Sequence, residues 1–214
     1  LSCQCSSRSE TQHIAPAMAL DCYNFQMHPA SLSSVEFLAI ALRNPVNTEL
    51  LHRLRDLRIP QCHLTAGCLF QAIWNYRSGT PVDWGVNDYD VFYFDDSDLT
   101  EEAEDRVIQL VSEATADLGA KVEVRNQARV HLWYERRFNA PYPQLRHARD
   151  GIDRYLVACT RVGVDVASGE LYAPDGLEDL AAGVLRINPL YPDTRQFEAK
   201  ARSYQDRWPW LRIG

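Results

Sequence analysis

Two carboxylates, Asp88 and Asp90, stand two residues apart in the run "NDYDVFYFD". Val91 to Phe94 behind them read as a buried strand, with β-branched and aromatic residues together. Side chains alternate along a strand, so both acids project from one face. Asp is depleted in strands, and two ionised carboxylates this close repel unless something cationic lies between them. The pair therefore points to bound positive charge as its chemistry.

The elements around the pair follow from periodicity. From Ser33 an apolar stripe of Val35, Leu38, Ala39 and Leu42 predicts a helix. A second helix carries Leu50, Leu51, Leu54 and Leu57 and is stopped by Pro60. Cys62 to Ala66 reads as a short strand, and Cys68 to Tyr76 as a helix opening straight after Gly67. The acidic pair then sits on a strand from about Asp88 to Phe94. Asp98 and Glu101 resemble a capping box for a helix whose apolar face runs from Ala103 to Leu118. Its acids Glu101, Glu102, Glu104 and Asp105 read as a solvated face. A strand follows from Ala120, interrupted near Asn126–Gln127, with Lys121, Glu123 and Arg125 on one side and Val122 and Val124 on the other. Further on, a helix is expected around Leu145 to Ala158, a hairpin turning at Ser168–Gly169, and short helices at Leu177 to Leu185 and Thr194 to Asp206.

Composition narrows the function classes. The chain has 214 residues, 46% apolar and 24% charged, with a formal net charge of −7. That is an ordinary globular composition, and its acidic balance disfavours general nucleic-acid binding. No apolar run is long enough to span a bilayer. The start, "LSCQCSSRSE", lacks the basic and apolar regions of a secretory signal, so a cytoplasmic location is expected. Cys3, Cys5, Cys22, Cys62, Cys68 and Cys159 then read as reduced thiols, and no second ligand pair follows Cys3 and Cys5 at zinc spacing. His63 and His131 read as ordinary packed or surface groups. The organisation expected is an N-terminal segment at 1–32, poorly ordered, a core at 33–144, and a C-terminal extension at 145–214 packed on that core.

In order, the middle of the chain gives strand, Gly67, helix, strand with Asp88 and Asp90, helix, strand with Glu123. The stretches "TAGCLFQAIWN", "NDYDVFYFD" and "KVEVRNQARVHLWY" resemble the minimal core of the DNA polymerase beta-type nucleotidyltransferase superfamily. With "YAPDGLEDL" and "RINPLYP" they look like a bacterial nucleotidyltransferase-like branch of it. The resemblance implies an α/β (α+β) fold with a small mixed sheet flanked by helices. It implies Mg²⁺ or Mn²⁺ on Asp88 and Asp90, and Glu123 as a third carboxylate, metal ligand or general base. An NTP and an unidentified acceptor would be the partners, with nucleic acid disfavoured by the acidic charge.

The physical chemistry agrees. Nucleotidyl transfer depends on positioning and charge neutralisation, and hard divalent ions take oxygen ligands. Gly67 allows close approach of backbone to phosphate, and the superfamily's Gly-Gly or Gly-Ser is here Gly67-Cys68, so phosphate contact at Cys68 rests on backbone. Lys121, Arg125 and Arg129 are candidates for neutralising phosphate. Two other readings use the same residues. One is a DxD metal-dependent glycosyltransferase, which usually needs a larger region before the acidic pair. The other is a nucleotidyltransferase-like binding module without catalysis, with "RWPWLRIG" as an interaction surface.

Overall fold

The computed structural model describes residues 31–214. The segment 1–32 expected to be poorly ordered lies outside them except for its last two positions, as do Cys3, Cys5 and Cys22. Cys62, Cys68 and Cys159 are buried free thiols.

Helices α1 (Ser34–Ala41) and α2 (Pro45–Leu57) lead the fold. Ser33 and Glu36 close a capping box on α1; Asn44 caps α2, with Pro45 in the first turn. The succession read from sequence then appears: β1 (His63–Thr65), α3 (Gly67–Ser78), β2 (Tyr89–Tyr93), α4 (Glu101–Thr115) and β3 (Val122–Asn126). β4 (Gly163–Asp165) and β5 (Leu171–Tyr172) complete a five-stranded sheet in the order β3-β2-β1-β4-β5. Within this sheet β2 and β3 run parallel, because α4 provides the crossover between them, and its other pairs are antiparallel. The result is the expected small mixed sheet with flanking helices. The C-terminal stretch does more than pack on the core, since β4 pairs directly with β1. Its hairpin turns at Gly169, whose φ of 76° suits glycine.

Three elements differ from the sequence reading, one of them the helix expected at Leu177 to Leu185, which stops at Ala182 and gives way to a strand at Val184–Leu185. Beyond Asn126 the chain does not resume a strand but forms α5 (Val130–Phe138). The Asn126 side chain causes the change: it accepts from the Asp95 and Ala128 amides and donates to the Asp95 carbonyl, which turns the backbone out of the ladder. The third is α6, which covers only Ala148–Ile152. Asn188 captures the carbonyls of Asp153 and Tyr155, and Ala158 donates to Arg186, so this backbone is hydrogen-bonded elsewhere and cannot continue the helix.

Glu104 is a further correction. It is not on a solvated face but buried, where it accepts from the Asn126 amide and pairs with Arg129. Thr100, rather than Asp98, caps α4. Glu104→Gln is expected to lower stability by about 2 kcal/mol in chemical denaturation, because the Arg129 guanidinium loses its buried counter-charge. Glu102→Gln, on the exposed side, should leave the midpoint unchanged.

The last elements are α7 (Glu178–Ala182), β6 (Val184–Leu185), α8 (Thr194–Arg207) and β7 (Arg212–Ile213). The Trp-rich tail packs on its own domain: Trp208 is buried, its indole donates to Asn75, and β7 pairs with β6. Phe70, Trp74, Tyr204 and Trp208 meet edge to face with ring centroids 4.9–5.6 Å apart. This cluster locks α8 against α3, the contact on which the candidate site depends. No helix among the described residues is long and apolar enough to cross a membrane.

Candidate active site

On β2, Tyr89, Val91 and Tyr93 enter the core, while Asp90 and Phe92 face the other way. Asp90 lies opposite Thr65 on β1 and Glu123 on β3, so these three side chains share a row on that face. Phe92 and Arg125 occupy the next row. Asp88, just before the strand, lines with Asp90 a cavity of about 430 Å³. Ala66 and Gly67 form one wall; Thr160, Tyr155 and Lys200 come from the C-terminal stretch.

The turn from β1 into α3 is strained. Ala66 has φ 65° and ψ −138°, a backbone state that side chains other than glycine rarely adopt. It is held there by the hydrogen bond its N–H donates to the Val162 carbonyl and by the Leu69 N–H, which donates to its own carbonyl. The conformational demand therefore falls one residue before Gly67. A Cβ at Gly67 would meet the Gln71 side-chain amide, so Gly67 leaves that side chain its place beside Arg207. Ala66→Gly is expected to stabilise the protein by about 1 kcal/mol in urea denaturation, relief of strain exceeding the entropy of a freer unfolded chain.

Asp90 is electrostatically unfavourable as it stands. Burial first, then Asp88 and Glu123, push its carboxyl up to about 7. Lys200 and Lys121 oppose the shift. No hydrogen bond to either carboxylate, Asp88 or Asp90, occurs among the described residues. Twenty of the chain's 22 cationic residues are arginines, and its two lysines are the cations acting on Asp90. Lys121 pairs with Glu123 and holds that carboxyl below its ordinary range, chiefly by hydrogen bonding.

The donor set suits a hard divalent cation. Asp88 and Asp90 offer oxygen ligands, and the excess negative charge at Asp90 lacks a hydrogen-bond donor. Mg²⁺ commonly takes only one or two protein carboxylates and completes its shell with water and phosphate. Among the described residues no three His, Cys, Asp or Glu side chains gather closely enough to enclose a metal. Glu123 thus neighbours the pair across the sheet without joining it in one ligand cluster.

The other residues singled out from sequence are dispersed. Cys68 is fully buried, its thiol directed at the Thr65 carbonyl and its ionisation suppressed by burial, so only its backbone is near the turn. Arg129 is buried against Glu104 and donates to the Leu99 carbonyl. With Arg125 it lines a different cavity, of about 300 Å³. Neither arginine reaches the wall of the Asp88–Asp90 cavity.

A family model described as nucleotidyltransferase matches residues 52–213. The chain belongs to the nucleotidyltransferase family. A solved NMR structure, described as revealing a CCA-adding enzyme head domain, has the same fold. Its TM-score is 0.67 at 23% identity, over 87% of this chain and 99% of that one. A tRNA-processing enzyme in an apo form aligns at 16% identity and a TM-score of 0.45, over 86% of this chain and 45% of that one. No curated protein sequence matches.

In this nucleotidyltransferase, sequence reasoning missed Lys200, Thr160 and Tyr155. Each lies beyond the contiguous motif region and reaches the cavity only through tertiary packing. For Lys200 one signal was available: it is one of two lysines in a chain otherwise using arginine. Its placement follows from Tyr204, one helical turn on, whose ring packs on Phe70 and Trp74.

Proposed function

We propose that the protein transfers a nucleoside monophosphate from an NTP to an acceptor hydroxyl on the Asp88–Asp90 face. The observation carrying this reading is a pair of carboxylates without hydrogen-bond donors among the described residues, in a cavity whose wall also holds the Gly67 turn and Lys200. Asp88 and Asp90 would hold Mg²⁺, which supplies neutralisation of phosphate charge when bound. The Gly67 amide at the start of α3 is free of intrahelical partners and is placed to meet a phosphate oxygen, and Lys200 adds a movable positive charge. The acceptor oxygen forms a bond to the α-phosphorus. The bond from that phosphorus to the bridging oxygen breaks, and its electron pair leaves with pyrophosphate. Glu123 takes the acceptor's proton; kept ionised by Lys121, it is ready to accept over the neutral pH range.

The Lys121–Glu123 pair also favours a second reading, a nucleotide-binding module without transfer, because a carboxylate with its own counter-ion serves structure alone. The glycosyltransferase alternative has no comparable observation behind it.

Thermal melting with Mg²⁺ and ATP tests nucleotide binding at the pair. The wild type should gain several degrees from both ligands together, and Asp88→Asn with Asp90→Asn should gain nothing while remaining folded. An equal gain in the double variant would place the cation elsewhere.

A further inference from the structure

A second concavity adjoins the candidate site one row along β2 and β3 from Asp90 and Glu123. It has a volume of about 190 Å³ and is walled by the rings of Phe92, Trp133, Tyr134, Tyr142, Tyr155 and Tyr191. All six rings are half-buried, so each side chain keeps some exposed surface. The space equals that of about six waters, suited to one flat ring system.

Its polar groups have a consistent chemistry. The Arg154 guanidinium lies 4.6 Å from the Tyr142 ring centre and 5.6 Å from that of Tyr191. Among the described residues its buried Nε has no hydrogen-bond partner, an uncommon state for a charged donor, while the rest of the guanidinium bonds to Tyr142. Gln127, itself buried, adds an amide, and Arg125 a second cation. Flat aromatic walls, guanidinium groups and an amide able to read a base edge form the combination that stacks unpaired nucleobases.

Position decides which nucleotide it serves. Phe92 and Arg125 are register partners two residues beyond Asp90 and Glu123 on the same face, a rise of about 7 Å along the strands. Tyr155 borders both concavities. The Gly67 turn, Asp88 and Lys200 lie on the other side, where the donor triphosphate is placed above. The remaining side, next to the proton acceptor Glu123, belongs to the attacking group.

We infer that the aromatic cleft binds the nucleobase of the acceptor, so the acceptor is itself a nucleotide, free or at the end of an RNA strand. This rests on the transfer reading above. The acidic overall charge does not oppose it, because Arg125, Arg136 and Arg137 outnumber Glu101 and Asp105 in the neighbouring concavity, where Glu104 is already paired with Arg129.

The full chain, without NTP, is titrated with AMP and separately with a fluorescently labelled single-stranded RNA hexamer. Isothermal titration calorimetry follows the first and anisotropy the second. Saturable binding is expected, weakened about tenfold or more by Trp133→Ala and by Arg154→Gln. Trp133 lies on the partly exposed α5, so its variant remains informative if Arg154→Gln fails to fold. Pocket-dependent binding of AMP alone identifies a free nucleotide, and much tighter pocket-dependent binding of the hexamer identifies an RNA end. Mg²⁺–ATP affinity should be unchanged in Trp133→Ala. Absence of saturable binding of both probes, or equal binding by the variants, overturns the inference. So does an equal loss of Mg²⁺–ATP affinity, which would give the cleft to the donor base. Since these titrations involve no transfer, their failure is separable from failure of the transfer reading, which the Asp88 and Asp90 variants test.

Discussion

Asp90→Asn should make the metal-free protein more stable at pH 8 and at the same time abolish transfer. Burial, Asp88 and Glu123 push the Asp90 carboxyl up to about 7, well above the ordinary carboxylate range. A carboxyl with a raised folded-state pKa contributes stability that is present below about pH 4 and is lost as the pH rises through 7. At pH 8 the folded state therefore bears the whole cost of the ionised side chain. The shift sets a ceiling of about 4 kcal/mol. Solvent access at the cavity mouth reduces that to about 2 kcal/mol, or several degrees in melting temperature for a chain of this size. At pH 4 wild type and variant should melt together. With Mg²⁺ the ordering reverses, because only the wild type gains. Transfer should fall by at least about a thousandfold, since a metal clamp is worth several kcal/mol of transition-state stabilisation. A variant no more stable than wild type in chelator at pH 8 would show that Asp90 already has a counter-charge.

Glu123→Gln is the second large expectation. The substitution keeps the shape of the side chain and removes the proton acceptor. General-base catalysis contributes about 10²–10⁴-fold, and a carboxyl held below its ordinary range is a weak base, so a loss of about a hundredfold in kcat is expected. Binding of Mg²⁺–ATP should be nearly intact, because Glu123 does not gather with Asp88 and Asp90 into one ligand cluster. Lys121→Met separates the two roles. It releases Glu123 toward the ordinary carboxylate pKa, so the low-pH limb of the rate profile should move upward in pH. Full transfer activity in Glu123→Gln would reduce the Lys121–Glu123 pair to surface structure.

The central order of elements was legible because it is written in local signals. Alternation around Val122 and Val124, the apolar stripe from Ala103 to Leu118 and the Gly67 turn each specify an element without reference to the rest. The neighbourhood of Asp90 and Glu123 followed, since α4 joins their strands as a parallel crossover. What failed depended on distant partners. Asn126 ends β3 through Asp95, and Asn188 shortens α6 from far along the chain. Glu104 looked like one acid among four until Arg129 was seen to meet it. The candidate site divided along the same line: Asp88 and Asp90 stand in a motif, whereas Lys200 is delivered by an aromatic cluster between α3 and α8. Ala66 shows the limit from the other side, because its left-handed backbone is imposed by the fold on a residue that does not advertise it.

Pyrophosphate release, measured with each of the four NTPs in Mg²⁺ and with AMP or a short RNA as acceptor, tests nucleotidyl transfer at Asp88 and Asp90. Release by the wild type should require both NTP and divalent metal and disappear in Asp88→Asn with Asp90→Asn. Release that persists in the folded double variant, or a wild type that binds Mg²⁺–NTP yet forms no pyrophosphate with any acceptor, would contradict it.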